Sequence, residues 1–299
     1  MKQAIALEQG SLWPAIEASV TRATTSGALR PIGTEALTLT DQGMEFLVRR
    51  ATNGEANPTT GNGTAPDNPF LSAESDLYLG DITDTHYCAL NKSSVYAHHL
   101  LIVTRQFEPL ETLLRMRDFV ALSTCMREYD GIGFYDAGPD AGANQIHKHM
   151  HVVPLPLSPG CGQVPLTTVL SSVNGTASRI RSAPGLPYAH AFGGLSQSLF
   201  EDPLRAGEVT YDLYVDMMEM LGMRGTRTDG EFRQRVPYNL LLTRNWMLLV
   251  PRVKGHYKTL PIDALAFAGS IFVANATQLA VLRERGPMGA LSDVARVRL

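Results

Sequence analysis

The sequence predicts an α+β fold, a mostly antiparallel sheet with flanking helices. Three observations carry this. Short apolar or alternating runs recur between clusters of Gly, Pro, Asn and Asp, as strands do between turns. A few longer stretches repeat apolar residues at helical spacing. In the middle of the chain the order is strand, strand, helix, strand, loop, strand, which brings neighbours together antiparallel.

In order, residues 3–28 space Leu7, Leu12, Ile16 and Val20 for one helical face, with Gly27 as a stop. Residues 36–40 and 44–49 form two strands joined at Asp41-Gln42-Gly43. Residues 51–69, dense in Gly, Pro, Asn and Thr, are expected to be a mobile insertion with little core of its own. Strands follow at 84–90 and 99–103, separated by Asn91-Lys92-Ser93-Ser94, with His98-His99 at a strand end. An amphipathic helix is expected over 107–129. Residues 131–137 and 146–153 then read as strands on either side of a loop rich in turn residues, Gly138, Pro139, Asp140 and Gly142. Further on come an irregular stretch at 157–182, a short strand at 188–192 and a helix at 209–222 whose methionines pack one face. YNLLLTRNWMLLVPR, residues 238–252, reads as a hairpin turning at Thr243-Arg244-Asn245, with Trp246 and Met247 in the core. A helix is expected at 267–282, and residues 283–299 read as a further helix or a frayed tail. Strands on both sides of 51–69 are needed to fill one sheet, so residues 1–299 read as a single domain with N- and C-terminal helical extensions.

Composition narrows the partners. With 299 residues, 44% hydrophobic and 18% charged, the chain suits an ordinary globular protein. A net charge of −3 gives no general affinity for nucleic acid or an acidic membrane. An anionic ligand must therefore be held by local positive groups and backbone N–H donors. Cys88, Cys125 and Cys161 are odd in number and show no CxxC pairing, which argues against a disulfide framework or a cysteine zinc site. No signal-peptide core or run of transmembrane length is present, and a cytoplasmic location is expected.

The chemistry concentrates in GIGFYDAGPDAGANQIHKHMHVVP, residues 131–154. Along a strand, side chains alternate faces, so His147, His149 and His151 project to one side and Ile146, Met150 and Val152 to the other. Lys148 breaks the apolar parity and is expected to reach solvent along its stem. Three readings follow. The histidines can merely occupy a half-exposed face. They can bind a metal, but residues i and i+4 on a strand lie about 13 Å apart while ligand nitrogens sit about 2 Å from zinc. At most two could then share one ion. Or a neutral imidazole attacks phosphorus and forms a covalent phosphoramidate. For that chemistry, N–H groups around 142–144 and the side chains of Asn144 and Gln145 can neutralise phosphate oxygens. The residues favour the third reading and leave the others open.

His147-Lys-His149-Met-His151-Val-Val resembles the signature of the histidine-triad (HIT) superfamily. GPDAGANQIHKHMHVVPL, SGALRPIGTE (26–35), NKSSVYAHHLLIVTRQFEPL (91–110), YNLLLTRNWMLLVPR and AFAGSIFV (266–273) together resemble the ATP adenylyltransferases, also called diadenosine tetraphosphate phosphorylases. The likeness covers most of the chain in order and implies a HIT-like fold. It implies that diadenosine tetraphosphate plus phosphate gives ATP plus ADP, reversibly. It further implies His149 as the nucleophile carrying AMP, the carbonyl of His147 orienting that ring, and His151 at the phosphate or leaving oxygen. Gly142, Asn144 and Gln145 match the phosphate-binding loop, and Asn91 and Lys92 a segment lining the nucleotide cleft. Magnesium is expected only with the nucleotide phosphates, with no protein metal site, and the working form is a monomer or homodimer.

Two positions depart from the family pattern. Family members from yeast carry glutamine where this chain has His151, a change that leans toward a dinucleoside polyphosphate hydrolase. A lysine expected soon after residues 46–50 is absent from 51–69, so Arg49, Arg50, Lys92 or Arg244 is expected to supply that charge. A hexose-1-phosphate uridylyltransferase-like enzyme and a nucleotide-binding sensor with a vestigial histidine strand are the remaining alternatives.

Overall fold

The computed structural model describes residues 4–52, 68–71, 74–159, 164–171, 180–228 and 230–298. Its largest element is a nine-stranded sheet. Across the sheet the strands run Tyr78–Asp81, His86–Leu90, Leu100–Thr104, His149–Pro154, Gly131–Ala137, Tyr238–Leu242, Trp246–Pro251, Ala191–Gly194 and Ile180–Arg181. Every neighbouring pair in it is antiparallel. The predicted α+β class holds, and the histidine strand lies near the middle of the sheet.

Two cores cover the two faces. On one face Met150 and Val152 pack with Phe119, Leu122, Met217 and Leu240 beneath the helices Met116–Glu128 and Pro203–Met220. Asp202 caps the second of these by accepting from the N–H groups of Leu204 and Arg205. On the other face Val153 and Phe134 pack with Phe46, Val48, Leu248 and Phe267. A smaller sheet lies there, made of Thr34–Asp41, Met44–Ala51 and Ser270–Val273. Its hairpin turns at Gln42 and Gly43, both at positive φ, which suits a tight two-residue hairpin.

Several expectations shift. The first helix spans Leu12–Ser26 and closes on Gly27 at φ 75°. The helix expected over 107–129 begins only at Met116. Before it, the backbone is committed elsewhere: Glu108 accepts from Lys148 N–H, Leu110 donates to Ile146, and Pro109 bridges His147. That bridge also delays the histidine strand, which starts at His149. The strand expected at 188–192 is Ala191–Gly194, and the helix expected at 209–222 is Pro203–Met220.

The single helix expected at 267–282 is three elements: helix Ala264–Phe267, strand Ser270–Val273 and helix Ala276–Arg285. Gly269 at φ 96° breaks the first, and Asn275 caps the last. Ser270–Val273 pairs parallel to Met44–Ala51, the one parallel pair among the described strands. The last helix is Pro287–Val294.

Of the insertion expected at 51–69, residues 53–67 lie outside the described residues, as does Cys161. Cys88 and Cys125 are free and buried. No described helix is long and apolar enough to cross a membrane.

Candidate active site

A cleft of about 440 Å³ opens over the histidine strand. Seven residues singled out in the sequence line it together: Asn91, Lys92, Gly142, Asn144, Gln145, His149 and His151. They come from three separate stretches of chain that the central strands bring together. The sheet register explains the floor. Leu101 pairs with His151 and Val103 with His149 on one side, and Phe134 pairs with His151 on the other. Paired residues share a face.

His149 is 6% exposed. Its Nδ1 lies 2.7 Å from the carbonyl oxygen of His147. A carbonyl can only accept, so Nδ1 carries the proton and Nε2 keeps its lone pair. Burial pushes the ring's pKa down to about 4, which keeps it neutral at pH 7. The result is a neutral, oriented imidazole with a nucleophilic nitrogen.

His151 stacks on Phe134, with centroids 4.5 Å apart and planes 4° from parallel. Its Nδ1 lies 3.0 Å from Nε2 of His99. Burial holds His151 well below its usual range and His99 at about 3. His99, placed in the sequence only as a strand end, is thus part of the cleft. His98 is not: it packs against Trp13 at a centroid distance of 5.1 Å, the planes tilted by 49°.

The His147 ring does not line the cleft. It is fully buried, with Nε2 donating to the Thr104 carbonyl at 2.8 Å and Nδ1 accepting from Asn68 Nδ2 at 2.8 Å. Its carbonyl, not its imidazole, reaches His149.

Lys148 corrects the sequence reading, because it is 1% exposed rather than solvated. Its Nζ meets Glu108 Oε2 at 2.9 Å and Asp118 Oδ2 at 3.2 Å, and Asp118 Oδ1 meets His86 Nε2 at 2.9 Å. Burial alone would raise the Asp118 pKa, but Lys148 and His86 overcome it and hold the carboxyl below its usual range. A buried cation with two carboxylates in reach is compensated, which is why the side chain turns inward.

The glycine loop is fixed from beneath. Gly142 sits at φ 102°, and a Cβ there would lie 2.6 Å from the Ile262 carbonyl oxygen. Arg252, 1% exposed, donates to the carbonyls of Ala141 at 3.1 Å and Ile262 at 3.0 Å, and to Asn239 Oδ1. Asn239 Nδ2 in turn donates to Asp136 at 2.6 Å and Ala141 O at 2.8 Å. Asp136 and Asp263 also line the cleft, and burial raises both their pKa values, with mutual repulsion adding at Asp136. The sequence reading missed this group. Its signal was an arginine ending the apolar run WMLLVPR, where a strand end buries the charge.

Of the basic residues considered for phosphate, only Lys92 lines the cleft, and it pairs with Glu74 on the same wall. Arg50 pairs with Glu35, and Arg244 donates to the carbonyls of Met126 and Arg127. Arg49 donates to the Leu157 carbonyl and lies over the Tyr96 ring at 4.7 Å.

The chain resembles known proteins along most of its length. Diadenosine 5',5'''-P1,P4-tetraphosphate phosphorylase 2 of Saccharomyces cerevisiae is 24% identical over 271 residues, covering 83% of this chain and 80% of that protein. Protein APA1 of the same yeast is 23% identical over 275 residues, covering 84% and 83%. The crystal structure of yeast Ap4A phosphorylase Apa2 superposes with a TM-score of 0.78 at 20% identity, covering 97% of each chain. Its complex with Ap4A gives 0.74 at 20% identity, again covering 97% of each chain. These likenesses establish the HIT-like fold. Residues 2–172 match the family described as Ap4A phosphorylase N-terminal domain and residues 184–296 that described as ATP adenylyltransferase C-terminal domain. The protein belongs to the Ap4A phosphorylase family.

Proposed function

We propose that the protein is a nucleotidyltransferase that catalyses the reversible phosphorolysis of diadenosine tetraphosphate to ATP and ADP. The observation that carries this is the tether from His149 Nδ1 to the His147 carbonyl, which leaves a neutral Nε2 in a cleft lined by Asn91, Gly142, Asn144 and Gln145. In the first step Nε2 attacks the phosphorus bearing one adenosine, and the P–O bond to the bridging oxygen breaks. ATP leaves, and AMP stays as an adenylyl-histidine. Inorganic phosphate then attacks the same phosphorus, the P–N bond breaks, and ADP departs with the His149 ring restored. Donors from the 142–145 loop and His151 face the phosphoryl oxygens and the leaving oxygen.

Magnesium enters as a companion of the nucleotide phosphates and supplies charge neutralisation there. Asp136 and Asp263, the carboxylates on the cleft wall, have raised pKa values and lie among Arg252 and Asn239. They suit a structural pair better than a resident ligand set, so phosphate and water would hold the ion. We treat residues 1–299 as one domain, because the nine-stranded sheet takes strands from both matched segments. We place it in the cytoplasm, acting as a monomer or homodimer on free nucleotides.

Incubation with diadenosine tetraphosphate, with and without phosphate, tests the reading. ATP plus ADP formed only with phosphate supports it; ATP plus AMP formed without phosphate makes the enzyme a hydrolase. His149→Ala should abolish phosphate-dependent ATP release while leaving the fold intact, and full activity in that variant sinks the nucleophile assignment.

A further inference from the structure

We propose that Asn68 is a positioning residue for the nucleophile: it clamps the His147 ring in one tautomer, so that the His147 carbonyl stays on Nδ1 of His149. This rests on the reading of His149 as the nucleophile.

The hold begins at a main-chain proton. Pro69 fixes its own φ and has no N–H, so the first peptide donor after Asn68 is that of Phe70. This N–H lies 3.1 Å from Asn68 Oδ1. A peptide N–H can only donate, so the amide oxygen must face it and the amide nitrogen must face away. Asn68 Nδ2 then meets His147 Nδ1 at 2.8 Å. An amide nitrogen can only donate as well, which makes His147 Nδ1 the acceptor. Burial lowers the pKa of this ring, keeping it neutral and leaving its single proton for Nε2.

The far side of the ring agrees. His147 Nε2 lies 2.8 Å from the Thr104 carbonyl oxygen and 2.9 Å from Thr104 Oγ1. The Thr104 hydroxyl gives its own proton to the Gln106 carbonyl at 2.9 Å, so both of these oxygens accept from Nε2. The opposite tautomer fails at each end. A proton on Nδ1 would confront the Asn68 amide, and a lone pair on Nε2 would confront the Thr104 carbonyl.

The backbone carries the hold to the chemistry. The peptide joining His147 to Lys148 sends its N–H to the Glu108 carbonyl at 2.8 Å. Its own carbonyl, on the opposite edge of the plane, accepts from His149 Nδ1 at 2.7 Å. A tilt of that plane takes the acceptor away from His149. The proton can then settle on Nε2, the nitrogen that has to attack. Asn68 is itself well anchored, because the Tyr87 hydroxyl donates to the Phe70 carbonyl at 2.7 Å. The Phe70 ring also packs on those of His147 and His149, at centroid distances of 5.7 and 5.0 Å. Pro69 and Phe70 line the cleft and Asn68 does not, so Asn68 acts on the nucleophile from behind rather than on substrate.

Long-range 1H–15N imidazole spectra of the full-length native protein at pH 7 read the tautomers without substrate or turnover. The expected result is His147 protonated on Nε2 and His149 on Nδ1. His147 protonated on Nδ1 overturns the proposal. In Asn68→Ala a clear share of His149 should move to the Nε2–H form, and an unchanged His149 in that variant also overturns it. Kinetics give a second readout. Asn68→Ala should lower kcat by about 30-fold, short of the roughly 100-fold that a 1 Å misplacement of a reacting group can cost. Its affinity for AMP, used as probe, should stay native. A raised KM at native kcat would make Asn68 a wall of the cleft and overturn the proposal. His147→Phe keeps the carbonyl but has no ring nitrogen to clamp, and in that background Asn68→Ala should cost less than about threefold. Equal losses in both backgrounds would make Asn68 merely structural and overturn the proposal. The spectra decide the clamp even if the chain proves to lack phosphorolysis, which the product assay decides separately.

Discussion

At the scale of single residues, the cleft depends on positions where one atom too many is excluded. Gly142 is the clearest. Its φ of 102° lies where L side chains are strained, and the Cβ would meet main chain at Ile262 and Asp263 rather than a side chain that can swing away. Gly142→Ala is therefore expected to cost about 2 kcal/mol of stability and to raise KM for diadenosine tetraphosphate by shifting the loop. Urea titration and steady-state kinetics check both, and native values for the two would remove the loop from the argument. Much of this scale was legible. Alternation along 147–151 placed His149 and His151 on one face before any fold was known, and the glycines marked the loop. His147 broke the pattern because its ring is drawn to Asn68 and Thr104, partners from distant stretches. His99 was hidden for the same reason, since its meaning lies in a strand pairing.

At the scale of elements, the histidine strand is held by opposite means on its two faces. Above are the imidazoles. Below, Lys148 binds Glu108 and Asp118 beside the start of the helix Met116–Glu128. Lys148→Met removes the cation that Glu108 and Asp118 share, while Asp118 remains fully buried. A loss of about 3–5 kcal/mol is expected, from an uncompensated buried charge rather than from poor fit. A shift in the denaturation midpoint worth under about 1 kcal/mol would show that the carboxylates find other partners or take up protons cheaply. A lysine in a strand reads as solvent-facing from sequence because burial is decided by its neighbours, and these lie 30 and 40 residues earlier in the chain. Helix 267–282 failed differently. Its apolar residues suit either a helix or a buried strand, and the parallel pairing of Ser270–Val273 with Met44–Ala51 settled it.

At the scale of the whole molecule, several imidazoles are kept neutral by the fold. His149 and His190 are lowered to about 4, His99 to about 3, and His151 well below its usual value. Below their ordinary value of about 6.5, the unfolded chain takes up protons that the folded one refuses. Stability is therefore intact above that point and is lost as pH falls, by at most about 2 kcal/mol per ring at pH 5. Asp136, raised to about 8, works the other way. It keeps a proton that the unfolded chain releases above about pH 4, so acidification favours the fold at that site and offsets part of the loss. Burial raises Asp263 in the same sense. The imidazoles outnumber these two carboxyls, and the melting temperature should fall between pH 7 and pH 5. An unchanged or higher value at pH 5 would mean that the rings become charged in the fold.

The antiparallel α+β plan was readable from apolar runs and turns, whereas the closure of one sheet around the middle strands was not, because pairing between distant strands leaves no local mark. That closure has a consequence for modularity. The strand Gly131–Ala137 lies in the first matched segment and its neighbour Tyr238–Leu242 in the second. Arg252 reaches from the second to hold the Ala141 carbonyl of the first. A cut between residues 172 and 184 would leave two raw sheet edges and a glycine loop without its clasp. The halves are therefore not interchangeable parts: a half borrowed from another member would have to bring a matching edge and a matching arginine at once. Inheritance of this enzyme is expected to be all or nothing.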